Sequence, residues 1–429
     1  MAEQRRRQKK SFWQENKVMI IGFIILAVVI GGLFGANAVV KWKERKEAEL
    51  PTETEKVAVL KFADEQTVDA TAGVVASATL PPNVDTSKEY EVDNILFAYN
   101  FSNLKYQKEQ EMSQQGKSVN QYYWASETVT DTTTGEEKPA RDWIEDSAFD
   151  QCKAIAVVED RVKETGFELS DEEKEEVKKS IDEQLESAFC ESYKNSLGDN
   201  WQDSDEWINA REDIVKSSAM MTYGDYVDIA TRVQTVSKYL SDAPDDDLVA
   251  KEDMKAYYDQ NLDETYTTHK VKHILFSLTD KDGKELSKKE QKAKKKLAYK
   301  VAKQINNGAD MDKLMKKYTD DATDGKPNND GVYDVVESEA QYDAEFTKYA
   351  INHKKGDKAG VIKSQFGYHV MKVMDVTVKS YDDVKKDIKS MLLSDYFQKI
   401  ADKLEVEADD GKLVPYFSQL VTSYQTANP

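Results

Sequence analysis

Cysteine, proline and glycine are all scarce in this chain, at two, eight and 18 among 429 residues. Two cysteines exclude the many-bridged scaffold of a small secreted domain and any site built from four thiolates. So little glycine and proline excludes collagen-like and Pro/Gly-rich disordered architectures. Only four histidines are present, and none has a partner at metal-ligand spacing. Nothing resembles a hydrolase triad, a glycine-rich phosphate loop or a zinc site, so no metal and no cofactor are expected. What the chain has in quantity is charge, 33 % of residues, together with 22 Tyr, 14 Phe and 6 Trp. That combination predicts a helix-rich, well-solvated protein with aromatic anchors rather than a disordered one.

The net charge of −20 is unevenly spread. Residues 1–46 carry 10 basic and 3 acidic side chains, and residues 265–376 carry 22 basic and 17 acidic. The acidity is therefore concentrated in 47–264 and 377–429. Nucleic acid is excluded as a partner for a body charged in this way. An acidic, soluble body suits the handling of sticky or basic polypeptides, although a plain solvated surface would look the same.

Val18–Val40 runs for 23 residues without a charge. That length spans a bilayer. Six Lys/Arg precede the run and four follow it, which predicts a cytoplasmic amino terminus (1–17), a single-pass anchor (18–40) and an extracytoplasmic bulk. The rival reading is a cleaved signal peptide, because Ala36–Ala38 resembles a small-residue cleavage site. No cysteine lies near the span to carry a lipid. Cys152 and Cys190 would then both lie outside, where a disulfide is chemically possible; two free thiols are the alternative.

Residues 41–90 read as a juxtamembrane helix followed by a small, polar linker or lone strand, and 91–264 as a helical domain. Ser170 with Glu173 forms a capping box ahead of Val177, Ile181, Leu185 and Phe189. The preceding segment carries Ile144, Ala148, Cys152, Ile155, Ala156 and Val162 as its apolar stripe, and the two helices are expected to pack as an antiparallel pair. At Tyr266 the period changes. Strand, helix (capped by Ser287 and Glu290), short helix, strand, helix and strand make a compact α+β domain over 265–376. Residues 377–429 return as a helix and an aromatic tail expected to pack on the helical domain. The lysine cluster Lys288–Lys296 reads as a solvated helix face.

In the opening strand, "VKHILFSL", Val271, His273 and Leu275 share one face, and Lys272, Ile274 and Phe276 the other. A second histidine in a comparable setting, His369, lies in the closing "FGYHVMKV". With "INNGADMDKLMKKYTDD" and "EFTKYA…KKGDKAGVIKSQFGYHVMKV" between them, these motifs make the 265–376 segment resemble the parvulin family of peptidyl-prolyl isomerases. The order of anchor, helical domain, parvulin unit and return helix looks like the extracytoplasmic foldases of the PrsA/SurA type.

The fold class implied is α+β: one amino-terminal transmembrane helix, a mostly α-helical chaperone-like domain, and an inserted small antiparallel sheet flanked by helices. The activity implied is cis–trans isomerisation of X–Pro bonds in unfolded or nascent secreted polypeptides; no oligomeric state is implied. The resemblance places His273 and His369 hydrogen-bonded at the floor of a site, with Asp321 facing them, although Asp320 competes for that alignment. It places Tyr342, Phe346, Ser364 and Phe366 around the proline. Tyr342 stands where the family has methionine, and "PNNDGVYDVV" replaces a Gly-Gly-Asp-Leu-Gly stretch. Those departures support a second expectation, a non-catalytic chaperone or scaffold that keeps the domain as a binding module. Two core histidines holding strands in register would also give this pattern. The remaining histidines, His269 and His353, are expected at a strand edge and a helix end.

Overall fold

The structure is a computed structural model that describes residues 53–63, 80–117, 121–130, 135, 137–188, 201–242 and 248–422. The expected anchor, most of the linker, Phe189 and Cys190 lie outside the described residues. Among those described, no helix is long and apolar enough to cross a membrane. The chain divides into two compact units, and the described residues of one run from Val249 to Lys389.

The other unit holds the described residues before Val249 and after Lys389. It opens with strands β1 (Lys56–Phe62) and β2 (Glu89–Asp93) and continues through α1 (Asn94–Gln114), α2 (Gln121–Ser126) and the hairpin β3 (Thr128–Thr130) and β4 (Glu137–Pro139). Helices α3 (Ala140–Thr165), α4 (Asp171–Ala188), α5 (Asp205–Ala219) and α6 (Tyr223–Asp242) follow. All eleven residues from Asn94 to Leu104 are buried, so the first half of α1 is a central helix wrapped on every side. The Ser170–Glu173 capping box forms, with Glu173 N–H donating to Ser170 Oγ at 3.3 Å. Val177, Ile181 and Leu185 are buried as the stripe predicts. The expected α3–α4 pairing is replaced: α3 packs most extensively on α1, and α3 and α4 each pack on α6. With an apolar partner available on α1 and α6, neither stripe needs the other.

This unit also contains a sheet that the sequence reading assigned to helix, linker and tail. Strand β1 is central, pairing antiparallel with β2 and with β11 (Leu404–Ala408), so that Leu60 meets Tyr90 on one side and Val406 on the other. The β1–β11 partners are more than 340 positions apart in sequence, and a local period carries no trace of such a contact.

The unit beginning at Val249 starts with α7 (Lys251–Gln260) and β5 (Thr267–Ser277). It continues through α8 (Lys288–Asn306), α9 (Met311–Tyr318), the two-residue ladder β6 (Ala322–Thr323) and β7 (Lys326–Pro327), and β8 (Val332–Val335). Helix α10 (Ala344–Ile351), β9 (Gly360–Lys363) and β10 (Gly367–Val378) complete the sheet. The division between units falls within α11 (Tyr381–Ala401), and α12 (Asp410–Thr422) ends the described chain. The expected single closing strand is two, folded back at Ser364–Phe366.

The sheet order is β8–β5–β10–β9, antiparallel throughout. Both faces are covered. Ile274, Phe276 and Val370 pack against Ala298, Val301, Ala302 and Ile305 of α8 and Met315 of α9. On the opposite face Val271, Met371 and Val373 pack against Phe346, Tyr349 and Ala350 of α10. Helix α8 has both arms of the Ser287–Glu290 capping box, but Ala293, expected inside, is exposed. His269 is also corrected. It is buried between β10 and β8 rather than at a strand edge, because β5 is paired on both sides.

Candidate active site

The register of the two central strands sets the site. His273 lies opposite Met371, and Leu275 lies opposite His369. The two histidines are thus diagonal neighbours on one face, within reach of each other's rings. Both are 5 % exposed, their rings stack at 5.3 Å, and Nδ1 faces Nδ1 at 3.2 Å.

Asp321 reaches them from the turn after α9, with its Oδ2 2.9 Å from His273 Nε2. The turn is fixed by Thr319, whose hydroxyl accepts from the backbone N–H of both Leu275 and Asp321. Asp320 points elsewhere: it accepts from the Ser277 backbone N–H and pairs with Lys294. The competition between the neighbours is settled by which carboxylate meets the imidazole, and it is Asp321.

Two further donors close on Asp321 from a stretch absent from the sequence-based site. Tyr333 Oη donates to Oδ2 at 2.7 Å, and Asn328 Nδ2 donates to Oδ1 at 2.7 Å. Both come from the segment that departs from the Gly-rich family pattern. The chain turns there through three residues of positive φ, Asn329, Asp330 and Gly331. At Gly331 a Cβ would sit 2.0 Å from Met315 Sδ and 3.1 Å from the His273 carbonyl oxygen, so no side chain fits. The signal that could have exposed Tyr333 is period two: it pairs with Val271 and so shares the face of His273, but only once the β5–β8 register is known.

At the other end, Ser364 Oγ lies 2.7 Å from His369 Nε2 and accepts from the Phe366 backbone N–H at 3.0 Å. Ser364 was expected at the pocket edge. The structure places it behind His369, outside the residues that line the cavity.

These bonds have one consistent direction. An ionised carboxylate only accepts. His273 Nε2 therefore carries its proton toward Asp321, which leaves Nδ1 to accept from His369 Nδ1–H. His369 Nε2 then accepts from Ser364, whose oxygen is fed by the Phe366 amide. Every ring nitrogen is used, and burial favours the neutral form of His369. The electrostatics agree. The hydrogen bond from His273, joined by those from Tyr333 and Asn328, lowers the Asp321 pKa to about 2 against the opposing effect of burial. Burial, then the neighbouring His273, lowers that of His369 to about 4. Burial and the Asp321 charge push the Tyr333 phenol well up.

Above this floor is a cavity of about 250 Å³ lined by His273, Asp321, Tyr333, Tyr342, Phe346 and His369, with Phe366 at its rim. Phe346 is 5 % exposed and stands edge-on to both imidazoles at 5.3 and 5.5 Å. Tyr342 lies against Phe346 at 5.4 Å and Tyr333 at 5.9 Å, so it forms part of the aromatic wall. Phe366 is 57 % exposed. Leu275, Gln341 and Asp343 also line the cavity and were not anticipated. An anion fixed beside an aromatic, mostly apolar box, with no exposed nucleophile, suits binding and polarising a neutral group rather than bond cleavage. Among the described residues no cluster of His, Cys, Asp or Glu has the geometry to hold a metal.

Residues 259–377 match the family described as "PPIC-type PPIASE domain", in line with the resemblance of this segment to the parvulins. Part of the chain is similar to proteins named "Foldase protein PrsA". One, from Bacillus subtilis, is 32 % identical over 136 residues, covering 29 % of this chain and 45 % of that protein. One from Clostridium botulinum (strain Langeland) is 28 % identical over 193 residues, covering 43 % and 52 %. The chain spans about half the length of these curated relatives. A crystal structure of peptidylprolyl isomerase (PrsA) from Bacillus cereus aligns at 20 % identity with a TM-score of 0.28, covering 69 % of this chain and 91 % of that one.

Proposed function

We propose that the protein is an extracytoplasmic foldase that isomerises X–Pro bonds in unfolded secreted polypeptides. The observation that carries this reading is the directed hydrogen-bond chain from Ser364 through His369 and His273 to an ionised Asp321, at the floor of an aromatic box.

Rotation about X–Pro breaks amide resonance over a barrier of about 18–20 kcal/mol and transfers no proton. A catalyst must bind the twisted amide better than either planar form, at about 1.4 kcal/mol per tenfold. The proline ring packs on Phe346 and Tyr342. The Asp321 carboxylate, facing the imide, repels negative charge on its oxygen and so opposes conjugation. His273, bonded to Asp321 and to His369, holds that carboxylate in place, and neither ring moves a proton. The foldases named above support the polypeptide substrate. The uncharged run Val18–Val40 supports a single-pass anchor with the bulk outside the cytoplasm.

The test is cis–trans exchange of X–Pro peptides by NMR with the full chain, beside Asp321→Ala and Phe346→Ala. Wild type should accelerate exchange, and Asp321→Ala should lose at least about tenfold of it, a difference of about 1.4 kcal/mol in barrier. A folded wild type that binds the peptides without accelerating them would make the domain a binding module instead.

A further inference from the structure

Helix α8 carries eight lysines and a single acidic residue, Glu290, which is occupied by its capping box with Ser287. Lys294 alone among the eight is paired, with Asp320. Lys288, Lys292, Lys295, Lys296, Lys300 and Lys303 are exposed and form no ion pair with any described residue. On other helices Lys105–Glu109, Lys178–Asp182 and Lys399–Asp395 pair in the ordinary i,i+4 way. A chain of net charge −20 has counter-ions to spare, yet α8 is left without them.

Tyr299 sits within this face, 54 % exposed. Helix α9, on the same side of the sheet, adds exposed Lys316 and Lys317. The opposite side of α8 is apolar and buried on the sheet. Because α10 and the cavity lie on the other sheet face, whatever meets the lysines leaves the site open.

We propose that this lysine face docks on an anionic lipid bilayer. Specific recognition of a phosphate or carboxylate favours the fixed fork of arginine, and residues 249–389 contain no arginine. Lysines are mobile point charges on long stems, suited to a planar, diffuse field of headgroups. A half-exposed tyrosine among them fits the amphipathic depth of the headgroup layer. At 1.5 Å per residue the 19-residue face is about 28 Å long, a length that suits an extended surface. The docked unit would present its cavity away from the bilayer, toward arriving chains.

The experiment places a nitroxide on α8 of the full chain through Gln304→Cys, with Cys190→Ser to leave one reactive thiol beside the buried Cys152. Vesicles of pure phosphatidylcholine are compared with vesicles containing phosphatidylglycerol. On the anionic vesicles, collisional access of a water-soluble nickel complex to the label should fall severalfold and access of oxygen should rise. Both changes should vanish at raised salt. They should also vanish when Lys292, Lys295, Lys296 and Lys300 are all changed to Gln, provided circular dichroism is unchanged. Equal access on the two vesicle types, or insensitivity to salt, overturns the proposal. Protection by soluble polyphosphate with no response to anionic vesicles also overturns it, in favour of a soluble polyanion.

Discussion

Each unit of this protein holds a polar network that is at least partly buried, and the two networks are built for different ends. In the unit holding residues before Val249, Arg232 of α6 makes a two-pronged bond to Glu159 of α3, at 2.8 and 3.0 Å, and a third bond to Asp93, at 2.8 Å. Asp93 in turn caps α1 by accepting from the Leu96 N–H at 2.7 Å. Strand end, central helix and two packing helices are thus tied by full charges, and no cavity among those described opens onto the knot. In the parvulin-type unit the network ends on one carboxylate, Asp321, held by imidazole, phenol and amide groups, and it lines a cavity. A buried ion network costs desolvation and returns it only while complete, which suits a fastener. A neutral relay ending in one anion places that anion where a ligand can meet it, which suits a site.

The sharpest way to break this comparison is to cut the fastener. Arg232→Ala leaves Glu159, 8 % exposed, without its partner, and should destabilise its own unit by about 3 kcal/mol. All six tryptophans lie outside residues 249–389, so denaturation followed by tryptophan fluorescence reports this loss. Isomerase rates below the transition should be unchanged. If they fall with the fluorescence midpoint, the two networks are not separate devices.

The second test uses pH and acts on the site. Because the folded His369 titrates near 4 and the unfolded one near 6.5, the unfolded state holds more protons between those values. Stability therefore falls as pH drops from 6.5 toward 4 and levels off below, by about 2 kcal/mol at pH 5. Asp321 adds a loss of the same sign lower down. Its stabilisation is complete above its ordinary value of 3.8 and disappears as pH falls through about 2. Hydrogen exchange of β5 and β10 amides in the full chain should show the first step, and His369→Gln should remove most of it. His269, also depressed by burial, leaves a smaller remainder. A wild-type curve flat from pH 7 to 5 would mean that His369 is not held neutral.

How much of this was written in the sequence depends on the range of the contact. The alternation in "VKHILFSL" and "FGYHVMKV" located both histidines on strands, and the family resemblance supplied their pairing and the aspartate. Phe346, Tyr342 and Phe366, singled out by the same resemblance, line one cavity. What stayed hidden required knowledge of register. Strand β1 found its second partner only at Leu404–Ala408, and Tyr333 became a neighbour of Asp321 only when β8 was laid against β5. Ser364 was misread for the same reason, because the fold-back between β9 and β10 turns its hydroxyl inward to His369. Backbone geometry mattered as well. Three consecutive residues of positive φ, two of them not glycine, carry Asn328 to the carboxylate, and no local propensity predicts that turn.

The smallest predicted effect concerns the segment that looked like decay. If Tyr333 and Asn328 are replacements that keep Asp321 anchored, removing one donor weakens the site without abolishing it. Tyr333→Phe retains the ring against His273 at 4.9 Å and deletes only the hydroxyl. A hydrogen bond to a charged group is worth about 1.5 kcal/mol at the low end of its range, so isomerase activity should fall by roughly tenfold. Raising the Asp321 pKa must follow, since one of the bonds that lowers it is gone. The carboxyl carbon of Asp321, titrated by NMR, should then respond at higher pH than in wild type, with His273 and Asn328 still bonded. A purely structural Tyr333 would leave that titration where it was, whatever happened to the rate. Were the titration unmoved and the activity intact, the departure from the Gly-rich pattern would be neutral drift beside the site rather than a second way of holding its charge.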